Sequence, residues 1–117
     1  MGDLDDLLDL VKRFVDERDW GRFHNAKDLS AAIAVEAAEL QEAFLWRTVE
    51  EVDALMTDPS RRSDVEAEMA DILIFLLSMA SRYGIDLRRA VESKVGENEE
   101  RYPADAVRGR AVKYTDL

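Results

Sequence analysis

Two short stretches carry acids where acids are costly: Glu36-Ala-Ala-Glu39 and Glu68-Met-Ala-Asp71. Within each pair the carboxylates are three residues apart, so on a helix they share one face. Around the first pair stand Ile33, Ala34, Val35, Ala37, Ala38 and Leu40, and after the second the chain runs Ile-Leu-Ile-Phe-Leu-Leu from Ile72 to Leu77. An ionised carboxylate in such surroundings must be paired or must hold its proton. No Lys or Arg lies between Lys27 and Arg47, or between Arg62 and Arg82. Four acids converging between two packed helices therefore call for a cation. Oxygen donors without His or Cys suit Mg²⁺ or Mn²⁺ rather than Zn²⁺. The spacing alone proves little, since Asp3/Asp6, Asp6/Asp9, Glu39/Glu42 and Glu97/Glu100 repeat it. The apolar setting is what singles out Glu36, Glu39, Glu68 and Asp71 as a metal site.

Other chemistries find no support. There is no cysteine, which excludes disulfides and thiolate metal ligands and suits a reducing cytoplasm. The one histidine, His24, sits in a loop segment, so neither a Glu-x-x-His di-iron bundle nor a Ser/His/Asp arrangement can be assembled. No Gly-x-x-x-x-Gly-Lys loop occurs. A formal charge of −10 opposes binding to a nucleic-acid polymer, although a bound cation can reverse the local field for a small phosphate ligand. No apolar run is long enough to span a bilayer, and the acidic N-terminus is unlike a signal peptide, so a cytoplasmic protein is expected.

Helices must position these acids. The 117 residues, 47 % of them hydrophobic, suffice for a core, and a single domain over 1–117 with a polar tail over 104–117 is expected. Apolar spacing predicts a first helix from Asp3 to Arg18, with Leu4, Leu7, Leu8, Val11, Phe14 and Val15 on one side. An aromatic loop, Asp19 to Ala26, follows. The second helix is predicted over Lys27–Trp46, capped by Asn25 or Asp28. Thr48-Val-Glu-Glu51 reads as a capping box opening a short helix to Met56. After the Asp58-Pro59-Ser60 turn, a long helix is predicted over Ser60–Tyr83 with Gly84 as its C-terminal cap. A last helix runs from Asp86 to Arg101 and is closed by Pro103. No segment alternates as a strand would, so the fold class is all-α, a four- to five-helix bundle.

Two acid pairs a few tens of residues apart on two helices resemble the pattern Glu-x-x-Glu … Glu-x-x-Asp of the MazG-like, all-α nucleotide pyrophosphohydrolases. The likeness extends over nearly the whole chain towards the dCTP pyrophosphatase branch. It includes Arg18-Asp-Trp-Gly-Arg-Phe-His24, Phe44-Leu-Trp46, Asp71-Ile-Leu-Ile-Phe-Leu-Leu77, Ser93-Lys-Val-Gly-Glu-Asn-Glu-Glu-Arg-Tyr-Pro103 and Lys113-Tyr-Thr-Asp-Leu117. The resemblance implies hydrolysis of a (deoxy)nucleoside triphosphate to the monophosphate and pyrophosphate. It gives Glu36, Glu39, Glu68 and Asp71 to Mg²⁺ or Mn²⁺, with Glu36 or Glu39 orienting or deprotonating the water. It brings Lys94, Asn98 and Tyr102 to the phosphates, residues whose spacing places them on one face of the last helix. Trp20, Phe23, His24 and Trp46 would form a base pocket in which stacking tolerates many bases.

The chain also departs from that branch. Phe75, a substrate-contacting position, stands where Tyr is common; Val11 stands where some members carry His, and Ala26 where Pro is frequent. These changes bear on base and sugar preference and leave the acids intact. A dCTP-like or modified pyrimidine nucleotide is the expected substrate. The alternatives are a dUTP or phosphoribosyl-ATP pyrophosphohydrolase, or a non-catalytic helical scaffold. Helices this apolar also predict self-association, and the family implies a homodimer or a homotetramer built as a dimer of dimers. The basic tail, with Arg108, Arg110 and Lys113, would then cross to a neighbour or close over the phosphates.

Overall fold

The computed structural model describes residues 2–117. Among them there are six α-helices, two single 3-10 turns and no strand, so the all-α expectation holds. The chain divides into two compact units, 1–84 and 85–117.

The first unit contains α1 (Asp3–Glu17), a 3-10 turn (Gly21–Phe23), α2 (Ala26–Glu42), α3 (Val49–Thr57) and α4 (Pro59–Tyr83). Three of its starts are fixed by side chains that satisfy amide groups left open in the first helical turn. Asn25 accepts from the Asp28 amide at 2.9 Å, Thr48 from the Glu51 amide at 3.1 Å, and Asp58 from the Ser60 amide at 3.0 Å. Pro59 then occupies the first helical position, where its missing N–H costs nothing. Gly84 ends α4 in the left-handed conformation with φ +64°, which a glycine adopts freely.

α4 is the spine of this unit and packs chiefly on α2, with α1 and α3 alongside. Its neighbours bury Val11 and Val15 of α1, Leu29 of α2, Leu55 of α3, and Val65, Leu77 and Ala80 of α4. The two long helices run antiparallel. The Tyr83 hydroxyl near the end of α4 accepts from the Ala26 amide at the start of α2, at 2.7 Å. Farther along, Glu36 faces Glu68.

One expectation needs correction. The second helix stops at Glu42, not Trp46: the chain turns over Ala43–Trp46, and Trp46 adopts φ +63°. A helix cannot continue through a left-handed residue, although the apolar spacing of Phe44 and Leu45 mimics continuation. As the apolar helices lead one to expect, the α4 segment is not enclosed all round. Met69, Leu73 and Leu76, at helical spacing, are 55 %, 42 % and 39 % exposed, because the three neighbouring helices cover only part of its circumference.

The second unit consists of α5 (Leu87–Arg101), capped by Asp86, a single-turn α6 (Ala104–Val107) and a 3-10 turn (Tyr114–Asp116). The tail folds onto the end of α5. The Tyr114 ring meets Tyr102 edge-on with centroids 6.0 Å apart, and the Arg101 guanidinium lies 4.8 Å from the Tyr114 centroid.

Candidate active site

The α2–α4 contact brings acids together as the spacing requires. Carboxylate oxygens of Glu36, Glu39 and Glu68 all lie within 4.8 Å of one another. Glu36 and Glu68 are half-buried, whereas Glu39 faces solvent. None of the three is ion-paired to a Lys or Arg among the described residues, and one oxygen each of Glu36 and Glu68 is buried with no hydrogen-bond partner. Asp71, one turn beyond Glu68, is exposed and stands outside that close trio, yet its charge is felt by Glu36.

Two ionised carboxylates cannot donate to each other, so such a group must take up a proton or a cation. The Glu36 carboxyl shows the strain: it is pushed up from 4.5 to about 7. The first cause is the hydrogen bond that its protonated form shares with Glu68; next come desolvation, a second hydrogen bond with Glu39, and repulsion from Glu39 and Asp71. The donor set fits a hard divalent cation. Octahedral Mg²⁺ holds oxygens at about 2.1 Å, so opposite ligands stand roughly 4.2 Å apart, a separation compatible with oxygens that all lie within 4.8 Å of one another. Glu36, Glu39 and Glu68 are the residues able to hold the ion, with Asp71 next to them on α4.

On the same side of α4 lies a pocket of about 210 Å³. Val11 and Val15 of α1 form an apolar wall, and Ser78, Ser81 and Arg82 of α4 stand across from them with Gly21 and His24 of the 3-10 segment. Lys12 and Asp16, bonded to each other at 2.8 Å, stand at its rim. Glu68, Asp71, Phe75, Ser78 and Arg82 succeed one another by three or four residues, so acids and pocket share one stripe of α4.

The aromatic residues are distributed differently from a single cluster. His24 lines the pocket; Trp20, Phe23 and Trp46 do not. Trp20 packs edge-on against Phe14 of α1 with centroids 5.6 Å apart, Phe23 is 62 % exposed, and Trp46 is 93 % exposed. Phe75 is half-buried on α4 between the acids and the pocket. Lys94 and Asn98 lie on one face of the second unit's α5, and Tyr102 follows directly after its last residue; Lys94 is held by Glu97 at 3.5 Å, and Glu97 also grips Arg101 at 3.1 Å. Sequence reasoning missed Ser78, Ser81 and Arg82. Counting forward from Asp71 in steps of three and four would have found Ser78 and Arg82.

Helices throughout the described residues and an unneutralised oxygen-only acid group between two antiparallel ones define a class of helical proteins with a carboxylate site fit for a divalent cation. Residues 31–117 match the model of the MazG-like family, and the chain belongs to that family. It is 41 % identical over 114 residues to rat dCTP pyrophosphatase 1, and 40 % identical over the same length to the human protein of that name. Each alignment covers 97 % of this chain and 67 % of the relative. The structure superposes on a pyrophosphatase from Archaeoglobus fulgidus with a TM-score of 0.80 at 36 % identity, over 88 % of this chain and 94 % of the other.

Proposed function

We propose that this chain hydrolyses a nucleoside triphosphate at its α-phosphorus, adding one water and releasing the nucleoside monophosphate and pyrophosphate. The observation that carries this reading is the pair of buried, partnerless oxygens on Glu36 and Glu68, inside an acid group with no protein cation. Relatives named for pyrophosphatase activity support it.

Glu36, Glu39 and Glu68, with Asp71 beside them, would hold Mg²⁺ or Mn²⁺. When bound, that ion offsets charge on the phosphate oxygens as the α-phosphorus is attacked. Glu36 or Glu39 orients the attacking water or takes its proton; Glu39 is the more accessible of the two. Lys94, Asn98 and Tyr102 supply donors to the phosphates. His24 and Phe75 flank the base, and Trp20, Phe23 and Trp46 offer exposed rings for stacking. A deoxycytidine-type nucleotide is the leading substrate. Its source is the cytoplasmic nucleotide pool, since the charge of −10 disfavours a polymer.

The bare stripe of Met69, Leu73 and Leu76 favours a homodimer, or a pair of dimers. The test of activity is direct. With Mg²⁺ and a panel of dNTPs, pyrophosphate and monophosphate should appear in equal amounts. Glu36→Gln and Glu68→Gln should each lower kcat by at least about a hundredfold, the scale of lost transition-state charge stabilisation. Absence of metal-dependent turnover on every nucleotide would leave a binding or scaffold role.

A further inference from the structure

The pocket beside the acids contains one buried hydroxyl whose hydrogen-bonding sense is already set. Ser78 is only 5 % exposed, and its hydroxyl donates to the Ile74 carbonyl one turn back at 2.8 Å. A serine hydroxyl has one proton and two lone pairs. With the proton engaged inside α4, what Ser78 offers the pocket is acceptor capacity, and no donor among the described residues uses it. The other side chains named there offer no such buried acceptor. Lys12 and Arg82 donate only, Asp16 is held by Lys12 at an exposed rim, and no hydrogen bond fixes the Ser81 hydroxyl.

Position decides what could meet that acceptor. Ser78 lies seven residues beyond Asp71, two helical turns on the same face, about 10 Å along the axis. That is the reach of a nucleotide from its α-phosphate to the far edge of its base. With the α-phosphate beside Asp71, the acid nearest the pocket along α4, the base edge arrives at Ser78 between the valine wall and His24. We propose that Ser78 is a specificity-determining residue, accepting a hydrogen bond from an exocyclic amino group on the base. It thereby favours aminopyrimidine over oxopyrimidine nucleotides. The inference rests on the pyrophosphohydrolase reading and adds to it the residue that selects the base. An oxo group at the same place would set two acceptors against each other unless Ser78 gave up its bond to Ile74.

The experiment measures kcat/KM for dCTP and dUTP in wild type, Ser78→Ala and Ser78→Thr. Alanine adds no bulk and favours the helix, so the variant should fold. In Ser78→Ala the dCTP:dUTP ratio should fall about five- to tenfold, the worth of one hydrogen bond, through a raised KM for dCTP with kcat little changed. Threonine retains the hydroxyl and should keep most of the ratio. A ratio in Ser78→Ala equal to or above that of wild type, with both nucleotides still cleaved, overturns the role of Ser78 and leaves the enzyme assignment standing. No cleavage of either nucleotide by wild type rejects the pyrimidine substrate and this inference together, and turnover across the full nucleotide panel then decides the enzyme assignment.

Discussion

Glu36 concentrates the electrostatics of the site in one carboxyl. It keeps its proton to about pH 7 in the metal-free fold, against 4.5 as the ordinary value. Between those values the folded chain binds more protons than the unfolded one, so stability from this group is fully present below 4.5 and is lost as pH rises towards 7. Calorimetry in excess chelator should show the Tm of wild type falling across that window more steeply than the Tm of Glu36→Gln. Mg²⁺ should reverse the difference, because a ligand carboxylate must first lose its proton. A chelated wild type that tracks the variant at every pH would contradict this account. At this scale the meeting of Glu36, Glu39 and Glu68 was legible, since type, spacing and apolar neighbours are written in the chain, whereas Asp71, read with them, stands outside the close trio. Ser78 was not. A single serine in an apolar helix looks like a tolerated polar residue until the wall across from it is known.

Helix starts were legible for a related reason: Asn25, Thr48, Asp58 and Asp86 satisfy amides within three residues, a purely local interaction. The end of α2 was not, because Phe44, Leu45 and Trp46 continue the apolar spacing while the backbone turns away. Trp46 holds φ +63° there with its ring almost fully in solvent. A bulky residue in that conformation costs about 1 kcal/mol, and packing among the described residues, which leave Trp46 93 % exposed, does little to offset it. Trp46→Gly should therefore raise the midpoint of urea unfolding by an amount equivalent to about 1 kcal/mol. The same variant should raise KM for every nucleotide, the mark of a residue kept for stacking rather than for folding. If the midpoint drops, the backbone strain has been misjudged; if KM holds for all nucleotides, the ring has no part in binding.

For the molecule as a whole, apolar composition announced helices that the chain would not fully cover, and Met69, Leu73 and Leu76 on α4 bear this out. Which elements meet α4 could not be read from the sequence, since that depends on contacts between residues far apart in the chain. If the stripe is the seat of a second copy, light scattering should give at least twice the 13.3 kDa of one chain, and Leu73→Lys should shift the mass towards one chain. A wild type that stays at one chain's mass at high concentration would rule this out. Pairing through that stripe ties endurance to abundance, because association protects only chains that find a mate. Diluted far enough, the protein would melt earlier with no change in its sequence, its ions or its solvent.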